Sequence, residues 1–133
     1  YENGQKKKEG KLKNDKKEGL WTEWYENGQK RSEGEYIEGK LNGTWISWYK
    51  DGQKKEEGTF KNGKKDGLYI SWYESGQMKK KVTFKNNQMI GLRTKWYENG
   101  QVSFSGTYKN GKWIYLRGFY RNGTEKTEPP DWE

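Results

Sequence analysis

The stretch WYENGQK at residues 24–30 decides how the rest of the chain is read. Its core, Tyr-Glu-Asn-Gly-Gln, stands at 1–5, 25–29 and 97–101. YKDGQ at 49–53 and YESGQ at 73–77 are near copies, and YRNGT at 120–124 is a worn one. The tyrosines fall at positions 1, 25, 49, 73, 97 and 120, so the spacing is 24 four times and then 23. Self-similarity at a fixed period of this size signals a repeat architecture and outranks any single local motif.

Glycine keeps the same period. Counted from each tyrosine, one column lies three residues on (Gly4, Gly28, Gly52, Gly76, Gly100, Gly123). A second lies nine on (Gly10, Gly34, Gly58, Gly106), with Val82 as the exception. A third lies fourteen on (Gly39, Gly63, Gly111), with Asp15 and Asn87 in its gaps. A fourth lies eighteen on (Gly19, Gly43, Gly67, Gly91). These columns hold 17 of the 18 glycines, so glycine here is positional and not linker composition. Asn-Gly and Asp-Gly dipeptides at 3–4, 27–28, 51–52 and 99–100 carry the signature of type I′ turns, and Asn62-Gly63 and Asn110-Gly111 repeat it half a period later. Two tight turns per period leave segments of about eight residues, which is strand length.

The stronger segment of each period is GLWTEWY (19–25), GTWISWY (43–49), GLYISWY (67–73) and GLRTKWY (91–97). Bulky and β-branched side chains favour a pleated surface, and alternate residues take opposite faces. One face then carries Leu20, Thr22 and Trp24 with their counterparts Ile46, Trp48, Leu68, Ile70, Trp72, Leu92 and Trp96. The other carries Trp21, Trp45 and Tyr69, with Tyr25, Tyr49 and Tyr73. The expected fold class is all-β: an elongated, twisted antiparallel sheet of tandem hairpins, five repeats of 24 residues and about ten strands over residues 1–123. Residues 124–133, with Pro129-Pro130, are expected to form a C-terminal tail or cap, because proline cannot continue a ladder. The aliphatic face is expected to be the more buried, and the column-eighteen glycines to mark bulges.

Composition bounds the function. The chain has 133 residues, 28% hydrophobic and 35% charged, a balance that alone suggests disorder. The 17% aromatic content argues the other way: large rings replace the usual aliphatic core. With no Cys and no His, thiol chemistry, disulfides and the commonest base and metal ligand are excluded. No apolar run approaches a bilayer-spanning length. The chain lacks an initiator Met and begins inside a repeat, so a fragment or processed form is expected.

The segments SEGEYIEGKLNG (32–43) and EEGTFKNGKKDG (56–67) resemble the MORN repeat, and the 24-residue period with WYENGQ resembles more closely the bacterial MORN-repeat variant, often catalogued among antitoxin components. The resemblance implies an elongated sheet of hairpins, a role in protein contacts, and phospholipid binding. The chain departs from the standard pattern at the tyrosine two residues before the column-nine glycine, where it has Lys8, Ser32, Glu56, Lys80 and Phe104.

No constellation for catalysis stands out. Acids recur at turn columns, as in Glu26, Glu74 and Glu98, so none forms a unique pair, and GKKDG (63–67) is a repeat turn and not a phosphate loop. A non-enzyme with no cofactor and no metal is expected. The leading reading is a scaffold for a protein partner, a toxin or a second copy of the chain. A carbohydrate or cell-wall repeat module is an alternative. The net charge of +8, half of it within residues 1–17, makes an anionic membrane surface another, while scarce arginine disfavours nucleic acid. The expected partner-facing column is Trp21, Trp45 and Tyr69, flanked by Tyr25, Tyr49 and Tyr73. On that reading Trp45→Ala weakens binding at little cost to the fold.

Overall fold

The computed structural model describes residues 1–126, so the greater part of the expected cap lies outside the described residues. Ten strands form one open antiparallel sheet in sequence order: β1 (Lys8–Lys13), β2 (Lys16–Trp24), β3 (Lys30–Ile37), β4 (Lys40–Trp48), β5 (Lys54–Lys61), β6 (Lys64–Trp72), β7 (Met78–Lys85), β8 (Gln88–Trp96), β9 (Val102–Lys109) and β10 (Lys112–Gly118). No helix occurs among the described residues. Each strand is bonded to its neighbours in sequence, as a row of hairpins requires.

Two turn types alternate, and only one is the expected type I′. Between β1 and β2, β3 and β4, and so on, two residues make the turn with both φ positive: Asn62 at 51° and Gly63 at 80°, or Asn86 at 49° and Asn87 at 67°. That is type I′ geometry, whose twist suits a hairpin. The Tyr-x-Asn-Gly turns are different. Gly28 N–H donates to Tyr25 O at 3.0 Å and Tyr25 N–H to Gln29 O at 2.9 Å. Glu26 and Asn27 are therefore the central residues, and of the turn only Gly28 has positive φ, 85°. The Asn27 side chain accounts for the difference. Its Oδ1 accepts the Gln29 N–H at 2.9 Å, which holds asparagine in an ordinary conformation and passes the left-handed position to the glycine.

The column-eighteen glycines do mark bulges. Gly34 faces Trp45 but Tyr36 faces Leu41, so β4 holds extra residues around Gly43, whose φ is 113°. The same shift recurs between β5 and β6 at Gly67. A bulge bends its strand and adds right-handed twist.

Burial reverses the expectation about the two faces. Trp21 pairs across with Gly34, Trp45 with Gly34 and Gly58, and Tyr69 with Gly58 and Val82, so these rings share one face. That face holds the buried apolar residues Tyr69 (9% exposed), Val82 (2%) and Phe104 (7%). On the opposite face Leu20, Leu68 and Leu92 are 55%, 43% and 59% exposed. The reason is the glycine column. Rings on the first face lie flat on strands that lack a Cβ, whereas the leucines stand beside Glu35, Thr83 and Thr107 and have nothing to lie on.

A Cβ at Gly58 would come within 2.5 Å of the Tyr69 ring, and one at Gly10 within 2.2 Å of Trp21. Val82 is tolerated because its β8 neighbour in that column is Arg93, not a ring. Gly58→Ala is expected to lower stability to urea by about 1–3 kcal/mol, the usual cost of overpacking. An unchanged urea midpoint would show that the ring is free to lift.

Candidate binding surface

The phrase Tyr-x-Asn-Gly-Gln is a connector between repeats as well as a turn. The Tyr25 hydroxyl donates to Trp48 O of the next repeat at 2.7 Å, and Tyr49 to Trp72 O (2.6 Å), Tyr73 to Trp96 O (2.7 Å), Tyr1 to Trp24 O (2.8 Å) and Tyr97 to Phe119 O (2.8 Å) do the same. Asn27 Nδ2 donates to Lys50 O at 2.9 Å, again one repeat on, and Asn3 and Asn99 repeat that bond. Gln29 lies against Gly52 of the following turn. Each residue type in the phrase thus holds either its own turn or the next.

Of the six residues expected to face a partner, Tyr69 is buried and the other five are partly covered. Trp45 meets the Phe60 ring edge-on at 6.4 Å, and Tyr69 meets Phe84 at 6.1 Å. The Trp21 indole N–H donates to Lys11 O at 2.9 Å. The Tyr69 hydroxyl donates to Glu56. Tyr25, Tyr49 and Tyr73 spend their hydroxyls on the ladder just described. The structure therefore brings the six together on one face, with the polar atoms of Trp21, Tyr25, Tyr49, Tyr69 and Tyr73 already engaged inside the array.

Rings from adjacent strands do converge around cations, but the cations are the chain's own. Lys17 Nζ lies 4.9 Å from the Trp21 ring and 4.8 Å from Tyr36, and Lys65 Nζ lies 4.4 Å from Tyr69 and 5.0 Å from Phe84. On the opposite face Lys30 sits 5.8 Å over Trp48 and pairs with Glu33 at 2.8 Å, and Lys54 sits 5.9 Å over Trp72 and pairs with Glu57 at 3.1 Å. The Lys30 ammonium holds the Glu33 carboxyl below its usual range against the opposing pull of burial, helped by the Thr22 hydroxyl. Lysine stems thereby cover ring surface that a second layer would cover in other folds.

Sequence periodicity missed two features. The hydroxyl ladder joins residues 23 apart, and 22 at Tyr97, short of the period, and no apolar pattern reports it. The second is the exposure of the aliphatic face: Leu68 and Leu92, expected to be buried, are open to solvent on β6 and β8, and Ile90 is exposed across Thr83 from Leu68.

The repeat matches the sequence profile of the MORN repeat variant over 17–38, 41–62, 65–86 and 89–110. The chain belongs to the MORN repeat variant family. Each matched MORN unit runs from one strong strand through a turn of the Tyr-x-x-Gly phrase (Asn27, Asp51, Ser75 or Asn99 before the glycine) into the weak strand that follows, so the unit is the hairpin built on that turn. The chain matches no curated protein.

Two outcomes test this MORN surface. Because Trp45 packs on the backbone of its neighbours, Trp45→Ala is expected to cost about 2 kcal/mol of stability, read from urea unfolding, less than for a fully buried tryptophan. A change below 0.5 kcal/mol, on the order of an ordinary surface substitution, would return this ring to the role of a free contact. The second outcome concerns alkali. Burial above all raises the pKa of Tyr36, Tyr49, Tyr69 and Tyr73. The unfolded chain ionises its tyrosines near pH 10 while the fold keeps them protonated, so their contribution is full below that pH and is lost above it. Lys80 and Lys95, lowered by burial, act in the opposite sense and cease to matter above about 10.5. Stability is expected to fall from about pH 10.5 upward, with tyrosinate absorbance rising in step with unfolding. Full ionisation of a still-folded chain would contradict it.

Proposed function

We propose that this MORN-variant array is a non-enzymatic scaffold for a protein partner. The observation that carries the reading is the exposed Leu68, Ile90 and Leu92 on one face of β6 and β8. Leu68 and Ile90 stand on either side of Thr83 and Leu92 beside Thr107, so exposed aliphatic side chains recur within one stretch of this face, and exposed apolar clusters mark interaction sites. The hydroxyl ladder ties each repeat to the next, so these residues are held in place before association and ordering them costs little.

The opposite face offers a second contact on this proposal. Trp21 and Trp45 keep part of their surface in solvent, with Tyr25, Tyr49 and Tyr73 beside them. The antitoxin cataloguing of the variant family would make the partner a toxin, and a second copy of the chain is the other candidate.

Leu92→Lys, alone and with Leu68→Lys, separates these outcomes. The variants are expected to fold with the wild-type urea midpoint and to lose either self-association in sedimentation equilibrium or capture of a toxin encoded beside this chain. Leu12→Lys, an exposed leucine on β1 outside that stretch, is expected to do neither. A strictly monomeric chain that captures no such partner, or capture indifferent to Leu92, would sink the proposal.

A further inference from the structure

The β7–β8 hairpin carries three cations on the ring face that break the repeat pattern. Lys80 stands directly across from Lys95, and Arg93 lies two residues before Lys95 on the same strand. Directly opposed residues have Cβ atoms about 4.5–5.5 Å apart, and like charges there repel. Arg93 Nε is buried without a hydrogen-bond partner. Its guanidinium lies 5.9 Å over the Phe104 ring, and Nη1 reaches Met89 Sδ at 3.7 Å. Among the described residues, no carboxylate lies within ion-pair distance of Lys80, Arg93 or Lys95. Lys65 and Lys79 add to the positive field. The acid that acts on the cluster is Glu56, on β5 beyond the intervening β6, and it already accepts the Tyr69 hydroxyl.

The first hairpin shows what the same cross-strand position holds when it is complete. There Lys8 stands across from Glu23, the two columns that Lys80 and Lys95 occupy, and the pair closes at 3.7 Å. The slot fits a lysine beside a carboxylate, and in β7–β8 the carboxylate is missing. We propose that Lys80, Arg93 and Lys95 form a binding site for the carboxylates of an acidic peptide segment, which supplies the anion that Glu23 supplies in the first hairpin. The planar guanidinium takes one carboxylate through its terminal nitrogens, and the two ammonium groups flank a second. Burial and the neighbouring Arg93 charge lower both lysine pKa values, the mark of cations held together without a counter-ion. The inference rests on the proposed scaffold role only in naming a protein as the source of the acid.

The test uses the whole chain and a fluorescein-labelled hexaglutamate peptide, followed by anisotropy. Binding is expected, with affinity falling steeply between 50 and 200 mM salt. Lys95→Glu and Arg93→Gln should each weaken it at least tenfold. Lys61→Glu, which makes the charge change of Lys95→Glu at an exposed strand end, should leave it within twofold. Lys95→Glu rebuilds the ion pair of the first hairpin, so it should melt at or above the wild-type temperature, which separates lost binding from lost fold. In lysine ammonium NMR the peptide should raise the titration midpoint of Lys80. Absence of peptide binding, or equal loss in Lys61→Glu and Lys95→Glu, would overturn the site. Inorganic phosphate or phosphatidylserine vesicles displacing the peptide at lower concentration than unlabelled hexaglutamate would make the ligand a phosphate and overturn the peptide. Failure here while Leu92→Lys still abolishes association would leave the scaffold reading standing.

Discussion

A single sheet has no second layer to pack against, and the device that replaces it is a flat ring over a glycine. Trp21, Trp45 and Tyr69 lie where a Cβ on the facing strand would stand 2.2–2.9 Å away. Removing that Cβ lets the ring rest on backbone, so apolar area is buried within the thickness of one layer. Everything else in the molecule accommodates this contact. The bulge at Gly43 or Gly67 turns the strand so that the next ring can follow, and the edge-on meetings with Phe60 and Phe84 close the gaps between rings.

Cohesion along the row has a different origin. Tyrosine hydroxyls and asparagine amides reach one repeat ahead to backbone carbonyls that the turn leaves free. Stability in such an array is a sum of hairpins and nearest-neighbour interfaces. Each interface holds one or two side-chain bonds of this kind, worth about 1 kcal/mol apiece. Where Asp51 and Ser75 replace asparagine, the amide bond to the next repeat is absent and the tyrosine bond remains, so the hydroxyl is the constant element.

Charge is arranged by column too. Lysines lie over rings and pair with glutamates in the first three repeats, at Glu9, Glu33 and Glu57. From β7 onward Met78 and Lys81, then Val102 and Ser105, occupy those columns. The same half of the chain carries the unpaired cations, so regularity gives way where the surface becomes distinctive. A departure from a strong repeat is a better pointer to contact with other molecules than the repeat itself, because the repeat is already accounted for by its own packing.

The sequence by itself determined the strand count, the order of strands and the places of turns and bulges. Each of these is a local consequence of residue types at a fixed spacing. It left the packed face to the tertiary structure, because alternation separates two faces without saying which is covered. Leucine and isoleucine suggested core, yet Leu20, Leu68 and Leu92 face solvent beside side chains that give them nothing to pack on. The turn type at Tyr-x-Asn-Gly was likewise decided by a side-chain bond, Asn27 Oδ1 to Gln29 N–H, that an Asn-Gly dipeptide does not announce. Burial in a one-layer protein depends on which neighbouring strand lacks a Cβ, and that is a relation between strands which only the register fixes.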